Sequence, residues 1–158
     1  MKIIGFEEHY GLPAIYEAAK KANDPYLQVL ETLKKAGHFP DDPKTGFPAG
    51  IYDLGEGRIA GMDGAGIDVA VLSYATPSVE RLEPSLARDL ARQANDTLAA
   101  AISKYPDRLL GFATLPMLDP AAAARELPTT AASLPKSLHF SQLPDRVGTS
   151  TMACTASA

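Results

Sequence analysis

The chain has 158 residues, of which 46% are hydrophobic and 22% are charged, and its formal net charge is −4. These values are typical of a globular domain with an apolar core. With a pI near 5.3, the chain lacks the basic field that attracts phosphate backbones, so nucleic acid is not an expected partner. No apolar stretch approaches the roughly 20 residues that span a bilayer, and the single cysteine cannot form an internal disulfide. We therefore expect a cytoplasmic protein without a membrane partner.

The first part of the chain alternates between strand and helix signals. Residues 2–6 form a short apolar run that predicts a buried first strand. Residues 25–36 carry apolar side chains at helical spacing, with Pro25 at the start and Gly37 just beyond the end, and predict a helix. The segment that follows, up to Gly57, is rich in Pro, Gly and Asp and predicts a long loop.

The middle of the chain carries the strongest patterns. Residues 58–65 predict a short helix, and residues 67–74 form a nearly continuous apolar run that suits a parallel strand covered on both faces. Residues 86–105 predict an amphipathic helix, since apolar side chains recur at third and fourth positions. Residues 109–115 predict a third strand, and another helix is expected to begin at Asp119. This order predicts an α/β fold whose parallel strands are joined by right-handed crossovers.

The character of the sequence changes after Leu127. Pro128 is expected to end the preceding helix within three turns, and the residues beyond it are mainly Ser, Thr, Ala and Pro. We therefore expect residues 1–127 to form the folded part and residues 128–158 to be a disordered tail.

The triplet Glu7-Glu8-His9 ends the first predicted strand. Side chains alternate along a strand, so Glu7 and His9 are expected on one side and Phe6 and Glu8 on the other. A carboxylate and an imidazole that project together from a strand end can share one divalent metal. The alternative that spacing leaves open is a charged strand end that faces water.

Six segments together carry a family resemblance. They are residues 5–10, Arg58 with 62–68, 71–73, 94–96, 105–109 and 111–116. In this order they resemble the amidohydrolase-related decarboxylases, a group that includes the γ-resorcylate, 2,3-dihydroxybenzoate and aminocarboxymuconate-semialdehyde decarboxylases. The resemblance implies a (β/α)₈ barrel of which this chain has the first three strands. Such barrels need about 250 residues, so we expect an incomplete barrel.

The resemblance also implies residue roles. Glu7 and His9 match the metal ligands at the end of the first strand, and the expected cofactor is zinc or manganese. The family's later histidine ligand and its late aspartate, to which proton transfer is usually assigned, have no counterpart here, so no catalytic residue is assigned. Ser73, Tyr74 and Thr76 follow the second strand on the expected active-site face and are candidates for substrate binding.

The implied function is that of a metal-dependent, non-oxidative decarboxylase (a carboxy-lyase) of aromatic or unsaturated carboxylic acids. Its partner would be a small-molecule carboxylic acid, and complete family members can form homo-oligomers. This chain is expected to be inactive alone. Two alternatives are a metal-dependent hydrolase of the wider amidohydrolase superfamily and a non-catalytic remnant of a truncated or mispredicted gene.

Other polar residues receive structural interpretations. Arg58 and Asp63 are expected to be packing or helix-surface groups, at the amino-terminal side of the second strand. Asn95 is also expected to be structural. His38 and His139 are expected to be exposed histidines rather than metal ligands.

Overall fold

The computed structural model describes residues 1–37, 50–133, 139–142 and 152–155. The elements in chain order are β1 (Ile4–Tyr10), α1 (Pro13–Lys21), α2 (Pro25–Lys35), α3 (Glu56–Ala65), β2 (Val69–Tyr74), a 3₁₀ turn (Val79–Arg81), α4 (Pro84–Lys104), β3 (Leu109–Gly111), α5 (Pro120–Ser133), β4 (His139–Gln142) and β5 (Met152–Thr155).

The first three strands form one parallel sheet in the order β1-β2-β3. Ile4 lies opposite Val69, and Leu72 lies opposite Gly111. The α/β class, the parallel pairing and the central position of β2 are thereby confirmed. The sheet does not close on itself, because β1 and β3 are both edge strands among the described residues. The architecture is that of an incomplete barrel.

Helices α3 and α4 cover one face of the sheet, which we call the covered face. Tyr10, Leu72, Leu98 and Leu109 are completely buried in its core. Helix α4 approaches β3 so closely that a Cβ atom at Gly111 would lie 2.4 Å from Cδ2 of Leu98. Glycine at this position therefore permits the close contact between helix and strand.

Strand β1 contains a register shift at Glu7. Phe6 lies opposite Val71 whereas Glu8 lies opposite Leu72, so Glu7 is an extra residue in β1. The expectation that Phe6 and Glu8 share a face is therefore wrong, because a β-bulge interrupts the alternation of side chains. A Cβ atom at Gly5 would lie 2.9 Å from Oε1 of Glu8, which places the Glu8 side chain on the side of Gly5.

Two other elements differ from the sequence-based expectation. Helix α1 was not predicted; it begins with Pro13 at its first turn and buries Ile15 and Ala19. Strand β3 is shorter than the predicted residues 109–115. It shortens because the backbone N–H and C=O of Thr114 bond to the Asn95 side chain rather than to a strand.

The carboxyl-terminal region also differs in the part that is described. Helix α5 continues through Pro128 to Ser133, so the expected helix end is wrong. Proline removes one backbone hydrogen bond, and a helix can bend to accommodate it. Strands β4 and β5 pair in antiparallel fashion, which the tail composition did not predict. Residues 134–138, 143–151 and 156–158 lie outside the described residues, as does His38, while His139 begins β4.

Within the described ranges, no helix combines the length and the apolar character required to cross a bilayer.

Candidate active-site edge

The ends of β1 and β2 meet at the carboxyl edge of the sheet, the edge at which its parallel strands end. His9 lies opposite Ser73 in the register, and Nδ1 of His9 is 2.9 Å from Oγ of Ser73. This hydrogen bond orients the imidazole and leaves Nε2 as the ring nitrogen that can bind a metal ion. The bulge shifts the alternation of side chains by one residue. Phe6 and His9, three residues apart on β1, therefore lie opposite Val71 and Ser73, two residues apart on β2, and share a face.

Glu7 is the residue inserted at the bulge, two positions before His9. Bulges are frequent next to active sites because they redirect a neighbouring side chain. That Glu7 and His9 face the same side stays a prediction.

Arg58, in the first turn of α3, binds three backbone carbonyl groups. Its Nη2 donates to the carbonyl oxygen of His9 at 2.8 Å and to that of Gly50 at 3.3 Å. Its Nε donates to the carbonyl oxygen of Asp53 at 2.7 Å. Burial lowers the pKa of Arg58, and the nearby carboxylates of Glu8 and Asp53 act in the opposite direction. The guanidinium thus ties the segment 50–53 to the end of β1.

This position corrects the expectation that Arg58 lies at the amino-terminal side of the strands. Helix α3 runs back along the sheet, so its first turn lies at the carboxyl edge and its last turn at the opposite, amino edge. Asp63, in the last turn, accepts a hydrogen bond at 2.6 Å from Arg108, which immediately precedes β3. The expected location is therefore right for Asp63 and wrong for Arg58.

The segment 50–55 packs over the end of β1. The backbone N–H of Gly11 donates to the carbonyl oxygen of Ile51 at 2.9 Å. The Tyr52 ring lies so near Gly11 that a Cβ atom there would be 2.9 Å from Cε1 of Tyr52. Burial, with Tyr16 and Glu17 nearby, raises the pKa of Tyr52 to about 12. The composition of this segment, rich in Pro, Gly and Asp, predicted a loop but not this contact.

The three substrate-binding candidates occupy different surroundings. Ser73 lies beside His9, whereas the Tyr74 hydroxyl accepts a hydrogen bond from the Leu12 backbone N–H at 3.0 Å. The Tyr74 ring also packs edge-on against Tyr10, with centroids 5.3 Å apart, and burial raises its pKa. Thr76 is exposed beyond β2. The structure therefore brings Ser73 to His9 and shows a packing role for Tyr74.

The sheet face opposite the covered face, which we call the open face, is apolar below His9. Phe6 is 61% exposed and Ile4 is 57% exposed. Phe6 packs edge-on against Phe112, with ring centroids 5.7 Å apart. Large exposed apolar side chains of this kind mark a surface that another part of a protein normally covers.

Comparison with known proteins points to one group of enzymes. The γ-resorcylate decarboxylase of Polaromonas sp. (strain JS666) is 40% identical over 110 residues, which are 68% of this chain and 34% of that enzyme. The γ-resorcylate decarboxylase of Rhodococcus jostii (strain RHA1) is also 40% identical over 110 residues, which are 33% of its length. The chain is homologous to the amino-terminal part of these decarboxylases. It spans about a third of the length of the curated relatives that it matches. No family model matches the sequence.

Solved structures agree with this assignment. The dihydroxybenzoic acid decarboxylase of Polaromonas sp. JS666, with bound manganese and the inhibitor 2-nitroresorcinol, has a TM-score of 0.63 and 31% identity. The match covers 95% of this chain and 42% of that chain. The 5-carboxyvanillate decarboxylase of Novosphingobium aromaticivorans DSM 12444, complexed with manganese, has a TM-score of 0.63 and 33% identity over 86% of this chain and 40% of that one. Both support the amidohydrolase-type barrel fold.

The decarboxylase resemblance implies a metal, and the described residues fit part of a site for one. His9 is oriented by Ser73 and offers Nε2, the chemistry expected of a metal-ligating histidine. Among the residues that the structure describes, no group of three or more His, Cys, Asp or Glu side chains is placed to hold a metal ion.

Asn95 connects α4 to the segment after β3. Its Nδ2 donates to the carbonyl oxygen of Thr114 at 3.0 Å, and its Oδ1 accepts from the Thr114 N–H at 2.8 Å. Nδ2 also lies 3.3 Å from Oε1 of the buried Glu126 on α5. This geometry fits the structural role expected for Asn95.

Proposed function

We propose that this chain is the amino-terminal part of a metal-dependent, non-oxidative decarboxylase that acts on an aromatic carboxylic acid. The observation that supports the proposal most directly is the position of His9. It lies at the carboxyl edge of a parallel sheet, where barrel enzymes carry their active sites, and Ser73 holds its Nδ1. The homologous decarboxylases, two of which hold manganese in solved structures, support the reaction class.

In this proposal Glu7 and His9 hold the divalent metal. The bound metal would supply charge stabilisation to the carboxylate and a neighbouring oxygen of the substrate. Ser73 binds Nδ1 of the imidazole and is also a proposed substrate-binding residue. During decarboxylation the bond between the ring carbon and the carboxylate breaks, CO₂ leaves, and the electron pair left on the carbon takes up a proton. The resemblance assigns that proton donor to a late aspartate of the family, for which this chain has no matching residue.

The proposal also covers the metal, the reaction, the location and the partners. Manganese is the first metal to test, because two similar structures contain it, and zinc is the alternative. Hydrolysis is the alternative chemistry, as in the wider superfamily. The proposal also includes a cytoplasmic location and a small-molecule substrate, with no nucleic acid or membrane partner. Complete family members are proposed to form homo-oligomers. Thr76, which lines a narrow crevice together with Tyr16 and Tyr52, stays a substrate-binding candidate.

The first test is an assay of the isolated chain. Purified chain is mixed with manganese or zinc, and the loss of γ-resorcylate or 2,3-dihydroxybenzoate is followed by absorbance. We expect no turnover, because catalytic metal sites commonly use three protein ligands and general acid catalysis contributes about 10²- to 10⁴-fold. Turnover that disappears in Glu7→Ala or His9→Ala would contradict the expected inactivity and would mean that this chain completes the site itself.

The second test supplies the rest of the barrel. Residues 1–127 replace the matching part of the Polaromonas γ-resorcylate decarboxylase, and the folded chimera is assayed with manganese. We expect decarboxylation of γ-resorcylate that is lost in His9→Ala and retained in a Lys20→Ala control on α1. A chimera whose turnover is unchanged by His9→Ala would refute the proposed function.

A further inference from the structure

Two arginines that bind backbone carbonyls, Arg58 and Arg108, lie at opposite edges of the sheet. Arg58 binds the carbonyl oxygens of His9, Gly50 and Asp53 at the carboxyl edge. Arg108 binds the carbonyl oxygens of Asp68 at 2.8 Å and Ile67 at 3.1 Å at the amino edge. Both use the planar, multi-donor guanidinium to join acceptors from separate segments, which a single lysine ammonium cannot reproduce in the same geometry.

Arg58 differs from Arg108 in the segments whose carbonyl groups it binds. One of its acceptors is the main chain of His9, the proposed metal ligand, and the other two belong to the segment 50–53, which packs over Gly11. Gly11 follows β1 directly, and its N–H donates to the carbonyl oxygen of Ile51, so the chain just after His9 is tied to this segment at a second point. His9 is thus bound at Nδ1 of its ring by Ser73 and at its carbonyl oxygen by Arg58.

We propose that Arg58 is a positioning residue that fixes the end of β1, and with it the orientation of His9, for metal binding. Its importance for catalysis rests on the proposed function, whereas its hold on β1 can be tested separately. Arg58 touches neither the imidazole nor Ser73, so it acts through the backbone. Outer-shell groups orient metal ligands, and small displacements of a ligand weaken metal binding. A side chain that binds the ligand's backbone can have the same effect.

The matched variants are Arg58→Met and Arg108→Met in the full chain. Methionine keeps much of the apolar stem and removes the donors at either edge. We expect amide hydrogen exchange, measured by NMR on ¹⁵N-labelled chain, to become about tenfold faster at Gly11 in Arg58→Met and to stay unchanged there in Arg108→Met. Arg58→Lys should restore part of the protection, because an ammonium can still reach one carbonyl. If Arg58→Met fails to fold, Arg58→Lys is compared with Arg108→Lys.

A second measurement keeps the two proposals distinguishable. Mn²⁺ is titrated into each variant and detected by the relaxation of water protons, with melting temperatures measured in parallel. We expect Arg58→Met to weaken Mn²⁺ binding about tenfold or more and Arg108→Met to leave it unchanged even if it lowers the melting temperature further. Unchanged exchange at Gly11, or equal effects of the two arginine variants on Mn²⁺ binding, would overturn the positioning role. Mn²⁺ binding that is unchanged in His9→Ala would instead refute the proposed metal site. The rate of amide hydrogen exchange at Gly11 would still test whether Arg58 fixes the end of β1.

Discussion

The covered and open faces of the sheet have similar side chains and very different surroundings. On the covered face, Tyr10, Leu72 and Leu109 have no exposed surface because α3 and α4 pack on them. On the open face, Phe6 and Ile4 keep more than half of their surface exposed. Barrel enzymes fill the interior with side chains from all the strands, and this chain has three of them in its parallel sheet. The covered face therefore contributes a packed part of the core, whereas the proposed chemistry lies at the edge of the open face.

The largest expected effect is at the centre of the covered face. Leu98→Ala should lower the free energy of unfolding by about 2–5 kcal/mol, because Leu98 is completely buried and fills the contact with Gly111. Phe6→Ala on the open face should cost less than about 1 kcal/mol, since most of that ring is already exposed. Urea unfolding followed by circular dichroism measures both. Equal losses for the two variants would mean that the open face is as well packed as the covered one.

Asn95 offers a smaller test of the same face. Asn95→Ala should cost about 1–3 kcal/mol, because the N–H and C=O of the buried Thr114 lose their partners. The neighbouring Asp96 is exposed, so Asp96→Ala should leave stability within about 0.5 kcal/mol of the parent chain. Thermal and urea denaturation of Asn95→Ala and Asp96→Ala measure the free energy of unfolding of each variant. Comparable losses for both variants would show that the loss comes from α4 in general rather than from this hydrogen-bonded contact.

The open face should govern association more than stability. Phe6→Ser removes a large exposed ring that another apolar surface can cover, so we expect less aggregation of the purified chain at equal melting temperature. Light scattering during concentration gives the measurement, with Glu17→Ser on α1 as the control. Aggregation that is the same in Phe6→Ser as in the parent chain would show that the open face does not drive it.

The smallest expected effect concerns the amino terminus of α4. The Glu83 carboxylate accepts hydrogen bonds from the hydroxyl and backbone N–H of Ser85, which lower its pKa. A lowered pKa in the folded state means that this stabilisation is complete above the ordinary glutamate pKa and is lost as the pH falls through the lowered value. Glu83→Gln should therefore lower the melting temperature slightly at pH 7, and the difference should vanish in acid. A difference that persists at low pH would rule out the charge as its cause.

The sequence predicts the regular parts of the fold and misses what tertiary contacts decide. The apolar run in β2 and the helical spacing in α4 are local patterns, so both elements were predicted. The bulge at Glu7 was not predictable, because it depends on pairing with β2, and strict alternation therefore misplaced Glu8 relative to Phe6. The carbonyl contacts of Arg58 were missed for a similar reason, since a helix position in sequence does not reveal which sheet edge its first turn reaches. His9 was proposed as a metal ligand from its motif, whereas its hydrogen bond to Ser73 depends on the register of β1 and β2 and was not predicted.

In the proposed function, Glu7 and His9 at the end of β1 bind the divalent metal. Mn²⁺ titration of variants in which one histidine at a time is replaced tests this assignment most directly. The chain has three histidines, His9, His38 and His139, so each can be replaced by alanine in turn and Mn²⁺ binding followed by the relaxation of water protons. We expect weak binding that is lost in His9→Ala and in Glu7→Ala and is retained in His38→Ala and His139→Ala. Binding that survives His9→Ala and Glu7→Ala but disappears in either of the other two would contradict the assignment of the metal ligands to the end of β1.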